Sequence, residues 1–381
     1  MARPRILVVD DEPGMLRTIE RILSSRYDVR AVRLPSEALG AADVSSFDVA
    51  ILDVRMPEMD GFALMARLGE RQPDLDVIMM TGSTDERDAR LIRAIREKAF
   101  FFLTKPFDRE VLLTLVQRCL EARRLSRENR AHVARLECEL QAAQVFQQSL
   151  LPERNASSNG FEVSFLYEPC DELGGDFCDY VLRDNAPGAI LVSDVSGHGA
   201  PSAMITGMVK QAFHAAMQED FAPTAVMERI AAASRLFPDG KYVTATAVRF
   251  SPGSSVLEYA NAGHPPGLLI GRDGPLVPLE PSAPMIHPVI PRWYCEQRAV
   301  RMETGDQLLL YTDGLTEAQN GDGEEFGFKR LLALAPQLAG ATTAAEAGRT
   351  DLLAMLRQEL ARFTGGRPLD DDLTLALVRR L

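Results

Sequence analysis

The sequence predicts two folded parts of different class joined by a long helix. The first is an α/β domain built on a doubly wound parallel sheet. The second is α+β, with two packed β-sheets flanked by helices. Three observations carry this. Short apolar runs alternate with amphipathic stretches through the first 120 residues. Residues 108–150 contain neither proline nor glycine. Beyond Phe161, strand-like segments cluster and helix pairs interrupt them.

In the first part, Ile6–Val9, Val49–Leu52, Val77–Met80 and Phe100–Leu103 read as strands. The first three end in Asp10-Asp11, Asp53 and Thr81, and Lys105 follows the fourth. Open parallel sheets bind ligands at the carboxyl ends of their strands, so these five side chains share one pocket. The acids can hold Mg²⁺ while one of them accepts a phosphoryl group, and the lysine pairs with the new charge. One aspartate at a strand end is ordinarily a turn or capping residue. Five such groups in this order are more than that.

The segment 108–150 is rich in Arg, Glu, Leu, Ala and Gln. Steps of three and four residues link Leu112, Leu115, Cys119, Ala122, Ser126, Asn129, Val133, Leu136, Leu140, Ala143, Gln147 and Leu150. This is coiled-coil spacing, weakened by polar residues in the middle, and it reads as a parallel dimer stalk. A helix of this length spans roughly 60 Å, too long to lie on one small domain. Pro152 and the polar run 155–160 end it.

In the last part, strands are expected at Phe161–Tyr167, Phe177–Leu182, Ile190–Val195, Tyr242–Phe250, Val256–Asn261, Leu268–Ile270, Cys295–Met302, Gln307–Thr312 and Leu373–Val378. Helices are expected at Pro201–Met217, Pro223–Leu236, Phe326–Leu338 and Ala344–Phe363. Four acidic segments lie at strand ends or in glycine turns: Gly174-Gly175-Asp176, Asp194-Val195-Ser196-Gly197-His198-Gly199, Tyr311-Thr312-Asp313-Gly314 and Asp370-Asp371-Asp372-Leu373-Thr374. Carboxylates gathered in this way repel and resist desolvation unless cations join them. Hard oxygen ligands suit Mg²⁺ or Mn²⁺, and a pair of such ions can activate water and clamp a phosphoryl group. The pattern points to metal-assisted hydrolysis of a phosphate ester.

The bulk numbers set bounds. A chain of 381 residues implies two or three domains. A hydrophobic content of 46% with 25% charged residues reads as soluble and globular. The net charge of −12 opposes nonspecific nucleic-acid binding. No apolar run is long enough for a membrane span, and the N-terminus does not read as a signal peptide. Five cysteines without a C-x-x-C pair imply reduced thiols in the cytoplasm.

Residues 4–120 resemble a two-component receiver domain. The resemblance rests on Val8-Val9-Asp10-Asp11-Glu12, Asp53-Val54-Arg55-Met56-Pro57-Glu58-Met59-Asp60-Gly61, Thr81-Gly82 and Lys105-Pro106-Phe107. It implies a five-stranded sheet and phosphorylation of Asp53 by a sensor histidine kinase or phosphotransfer protein. Mg²⁺ would be held by Asp10, Asp11, Asp53 and the backbone carbonyl of Arg55. Thr81, Phe102 and Lys105 would form the switch. Lys98-Ala99-Phe100-Phe101-Phe102 departs from the family pattern, which commonly ends in tyrosine; the added apolar surface reads as core packing or a docking patch.

The region from about Ala143 to Leu381 resembles the SpoIIE-type branch of metal-dependent protein serine/threonine phosphatases. The motifs are Gln147-Gln148-Ser149-Leu150-Leu151-Pro152, the four acidic segments and Asn261-Ala262-Gly263-His264-Pro265-Pro266. The resemblance implies two Mn²⁺ or Mg²⁺ ions bridged by Asp194. The Val195 carbonyl would add a backbone ligand, Asp176 would sit on the first ion mostly through water, and Asp313 and Asp371 would hold the second. Asp372 remains an alternative to Asp371. It also implies a phosphoprotein substrate, with STAS-type anti-sigma-factor antagonists the common class. His198 is a candidate acid, but a turn histidine is ordinarily a surface residue; His264 reads as a packed turn element. The expected organisation is a receiver at 1–120, a helical coiled-coil linker at 121–152 and a phosphatase domain at 153–381. Phosphorylation of Asp53 would control hydrolysis through the junction Ala143–Pro152, where the polar Gln147 interrupts the apolar seam. The alternative is a catalytically weak phosphatase fold used as an adaptor for a sigma or anti-sigma factor. The segment 284–295, with the only tryptophan, fits the family poorly.

Overall fold

The computed structural model describes residues 3–40, 46–82, 101–218, 222–271, 276–334 and 352–381. The chain divides into two compact units, 1–136 and 137–381.

The first unit holds a parallel sheet in the order β2-β1-β3-β4-β5. Its strands are β1 (Arg5–Val9), β2 (Asp28–Val32), β3 (Val49–Asp53), β4 (Asp76–Thr81) and β5 (Phe101–Thr104). The helices α1 (Pro13–Leu23), α2 (Pro35–Gly40) and α3 (Gly61–Arg71) connect them. The expected runs became strands because β1, β3 and β4 are buried on both faces. The edge strand β2 was not legible as an apolar run; only Val32 in it is buried. Phe101 and Phe102 are half-buried against the two faces of the sheet. Phe100 lies outside the described residues.

Helix α4 runs from Arg109 to Ser149. Its first part packs on the sheet through Leu112, Leu113, Val116 and Cys119. Arg130 then grips Asp74 with Nη1–carboxylate distances of 2.8 and 3.0 Å, and Arg123 donates to the Asp74 carbonyl. Val133, Leu136, Leu140, Val145 and Phe146 are exposed. The expected seam is therefore bare in its middle and buried at its ends. Gln147 departs from the seam reading: it is buried within the second unit, to which this end of the helix belongs.

The second unit stacks four layers. One antiparallel sheet has the order β14-β11-β10-β9-β8, with β8 (Asp176–Val181), β9 (Gly188–Val195), β10 (Val243–Phe250), β11 (Val256–Ala262) and β14 (Arg298–Arg301). The other has the order β13-β12-β15-β16-β7-β6, with β6 (Asn155–Ser158), β7 (Phe161–Glu168), β12 (Gly267–Ile270), β13 (Leu276–Leu279), β15 (Gln307–Tyr311) and β16 (Leu373–Arg380). Between the sheets lies a core that includes Phe165, Cys178, Val192, Phe250 and Leu310. Helices α5 (Ala200–Ala216) and α6 (Pro223–Ala233) cover the first sheet through Val209, Phe213 and Ile230. Helix α8 (Leu352–Thr364) covers the other through Leu353, Leu356 and Leu360. A one-turn helix α7 (Asp313–Thr316) follows β15, and residues 327–334 are helical. The remainder of the expected helices, 335–351, lies outside the described residues. The strand expected at Cys295–Met302 is shorter, and β6 and β13 are edge strands with little apolar signal. No helix among the described residues is long and apolar enough to cross a membrane.

Candidate functional sites

In the first unit the sheet brings the expected side chains together. Asp10 and Asp53 are buried. Lys105 reaches both, with Nζ 2.7 Å from Asp10 Oδ2 and 2.7 Å from Asp53 Oδ1. The Arg55 amide donates to Asp53 Oδ2 at 3.2 Å, and the Glu12 amide to Asp10 Oδ1 at 2.9 Å. Burial raises the Asp53 carboxyl above its ordinary range, opposed by Lys105. Burial tends to lower the Lys105 ammonium, but its bonds to Asp10 and Asp53 leave it above its usual value. Thr81 is buried at the end of β4, and its carbonyl accepts the Lys105 amide at 2.8 Å. Asp11 lies at the half-exposed rim. An acid is thus presented at the strand ends with a cation beside it.

In the second unit, β8, β9, the start of α7 and the turn before β16 carry the acids. Asp176 and Asp194 are paired residues of adjacent antiparallel strands. Asp176 is buried, and both the Thr312 and Thr374 hydroxyls donate to its Oδ2, at 2.6 and 2.7 Å. Burial drives the Asp176 carboxyl well above the usual range, with Asp194 adding to the shift. Asp194 is pushed up to about 8, first by burial and then by Asp313, Asp371, Asp372 and Glu317. Asp313 rises to about 6 from burial, Asp371 and Glu317. Burial also raises Asp371, as does Asp372. None of Asp194, Asp313 and Asp371 has an ion-pair partner among the described residues.

Adjacent acids divide here. Asp372 Oδ2 accepts the Gly175 amide at 2.6 Å and the Asp176 amide at 3.3 Å, while Oδ1 accepts the Cys170 amide at 2.8 Å. Both of its oxygens therefore serve the turn before β8. Among the described residues Asp371 Oδ1 accepts only the Asp372 amide, at 2.8 Å, and Asp371 is one of the charges acting on Asp194 and Asp313. Two glycines permit the close packing. A Cβ on Gly175 would stand 2.4 Å from the Val195 carbonyl oxygen, and one on Gly314 would stand 1.9 Å from that of Asp372.

Sequence reasoning missed the roles of Thr312, Thr374 and Tyr242 and the partner of Gln147. Thr312 and Thr374 lie inside the acidic motifs and both serve Asp176. Gln147 donates from Nε2 to the Gly174 carbonyl at 2.7 Å and accepts the Gly174 amide at 3.2 Å, so the end of α4 holds the turn that leads into Asp176. Tyr242 stands beside Asp194, Asp313, Glu317 and Asp371, which, after burial, raise its hydroxyl. His198 is exposed, with Nδ1 2.8 Å from Asp171. His264 is packed in its turn as expected: Nδ1 is 2.8 Å from Thr244 Oγ1, and burial pushes it down to about 3. Burial drives Cys178 well above the usual thiol range.

The donor set fits divalent cations. It is all oxygen, it concentrates negative charge, and the absence of a Cβ on Gly175 leaves room at the Val195 carbonyl. Among the described residues no three His, Cys, Asp or Glu side chains are already closed around one point. Cations would have to draw the carboxylates inward.

Residues 185–381, just over half of the chain, match the family model of Stage II sporulation protein E (SpoIIE). The chain belongs to the SpoIIE family. Residues 6–117 match the response regulator receiver domain, so a receiver precedes the SpoIIE-family phosphatase domain. Asp176 and Gln147 lie ahead of the family match. The SiaA-PP2C domain of Pseudomonas aeruginosa shares the fold, at 22% identity over 66% of this chain and 99% of that one, with a TM-score of 0.54. The transcriptional regulatory protein DctD of Pseudomonas aeruginosa is 36% identical over 130 residues, covering 34% of this chain and 28% of that protein. Protein IcfG of Synechocystis is 24% identical over 270 residues, 64% of this chain and 41% of that protein. The chain spans about a quarter of the length of the transcriptional regulators it matches.

Proposed function

We propose that this SpoIIE-family protein is a response regulator whose output is a Mn²⁺- or Mg²⁺-dependent protein serine/threonine phosphatase. The observation that carries the reading is the crowding of Asp194, Asp313 and Asp371. Burial and neighbouring carboxylates hold their carboxyls high, and among the described residues no ion pair relieves them. Stability does not explain such a cluster; a bound cation does. Asp194 and the Val195 carbonyl would hold both ions together with Asp176, Asp313 and Asp371. When bound, two divalent cations lower the pKa of water and neutralise a phosphoryl group. The side chains do the positioning. Thr312 and Thr374 fix one Asp176 oxygen, and Asp372 fixes the turn that presents it. Asp371 is favoured over Asp372 as a ligand because Asp372 is spent on backbone amides.

Asp53 is the proposed phosphoacceptor, with Mg²⁺ held by Asp10, Asp11 and the Arg55 carbonyl. A new phosphoryl charge would draw on Lys105 and Thr81, and Phe102 would respond. Linker helix α4 would pair two copies through Val133, Leu136 and Leu140, which are exposed in the single chain. The domain limits 1–120, 121–152 and 153–381 belong to this reading. The substrate class, a STAS-type anti-sigma-factor antagonist, rests on family resemblance. The deciding experiment is release of phosphate from phosphoserine peptides with Mn²⁺, with and without an acyl-phosphate donor. Wild-type turnover that vanishes in Asp194→Ala is expected. No turnover by the wild type would defeat the assignment, and equal turnover with and without the donor would defeat the coupling.

A further inference from the structure

The segment 284–295 and the end of α6 enclose a cavity of about 380 Å³. The segment is closed on itself. Trp293 Nε1 donates to the Pro284 and Met285 carbonyls at 3.0 and 3.2 Å, and the Ile290 amide donates to the His287 carbonyl at 3.0 Å. It is also fastened to the strand beside the acidic site. Val243 and Ile286 exchange two backbone bonds, of 3.0 and 2.8 Å, and the His287 ring stacks on Tyr242 at 6.2 Å. Thr244, next in that strand, pairs with Asp194. The segment lining the cavity is therefore fastened to the strand that pairs with the one carrying Asp194.

Arg235 and Arg292 line it, against a single acid, Glu228. Among the described residues neither guanidinium has an ion pair or hydrogen bond, although the chain carries a net charge of −12. Leu236, Val289 and Tyr294 stand nearby in sequence, 78%, 76% and 69% exposed. Arginine and aromatic residues beside exposed apolar ones form the usual composition of a protein-binding surface. We propose that this cavity docks an acidic stretch of the phosphoprotein substrate. Arg235 and Arg292 bind its carboxylates, while Leu236, Val289 and Tyr294 cover its apolar side chains. The inference rests on the phosphatase reading and adds a substrate preference to it.

Two phosphoserine peptides test it, one with glutamates on both sides of the phosphoserine and one with alanines in their place. Wild type should favour the acidic peptide about five- to tenfold in kcat/KM at low salt. In the double variant Arg235→Ala, Arg292→Ala, the ratio should fall to about one. Equal kcat/KM in wild type, or a preference that survives in the variant, overturns the proposal. Trp293 is the only tryptophan, so its emission reports on this cavity without catalysis. An unphosphorylated glutamate-rich peptide should change that emission saturably in wild type and not in the variant. If neither phosphopeptide is hydrolysed, the phosphatase reading fails, and emission alone judges the anion site: unchanged wild-type emission sinks it. Free glutamate that acts as well as the peptide overturns docking of a chain segment.

Discussion

Replacing Asp194 with Asn should stabilise the metal-free protein while destroying its response to metal. The folded carboxyl is raised to about 8 from an ordinary value of 3.8. A raised carboxyl binds more protons folded than unfolded between those values. Its effect is therefore absent below the ordinary pKa, and stability falls as pH rises through the window. At pH 7 the cost is on the order of 4 kcal/mol, at 1.36 kcal/mol per pKa unit. An amide at the same buried position leaves polar atoms unsatisfied, at about 2 kcal/mol. The net gain of roughly 2 kcal/mol corresponds to about 4–8 °C in Tm for a unit of this size. The assay is thermal unfolding in EDTA from pH 5 to 8, repeated with Mn²⁺. The variant should melt higher than wild type at pH 7–8 and lose that advantage near pH 5. Mn²⁺ should raise the wild-type Tm by mass action and leave the variant unmoved. A variant less stable than wild type at every pH in EDTA would refute the argument from crowded charge.

Asp371→Asn and Asp372→Asn should separate by readout. The first should lose Mn²⁺ response with little change in metal-free Tm, and the second should lower metal-free stability by about 2–3 kcal/mol, measured by urea unfolding, because three backbone amides depend on it. Gln147→Leu strips both polar groups of Gly174 of their partner and should lock activity in one state; a more than twofold response to the acyl-phosphate donor would contradict this. Lys105→Met leaves Asp10 and Asp53 facing each other unpaired and should cost about 3 kcal/mol in chemical denaturation without Mg²⁺, a loss that added Mg²⁺ recovers.

Legibility followed burial. Strands β1, β3 and β4 were readable because they are apolar on both faces, whereas β2, β6 and β13 lie at sheet edges and carry little apolar signal. The acids were readable because a strand end or glycine turn marks each one. What each acid does was not. Asp371 and Asp372 are equivalent in sequence, and only the path of the chain sends one toward Asp194 and the other toward the Gly175 amide. Gln147 has the spacing of a seam residue, and that periodicity gives no hint that Gly174 would be its partner. Hydrophobic period reports which face of a helix is covered, not by what.

That partnership bears on control. The turn 174–176 is held from two sides: Gln147 takes the Gly174 amide and carbonyl, and Asp372 takes the next two amides. The Val195 amide adds a bond to the Gly175 carbonyl at 3.1 Å, tying the same turn to the residue after Asp194. Any rotation of the last turn of α4 must therefore either carry Gly174 with it or break two hydrogen bonds. At about 1 kcal/mol each, those bonds weigh a two-state equilibrium by about thirtyfold. Under the proposed coupling, a helix end bonded in this way would bias the acidic site through the turn presenting Asp176, without a separate relay.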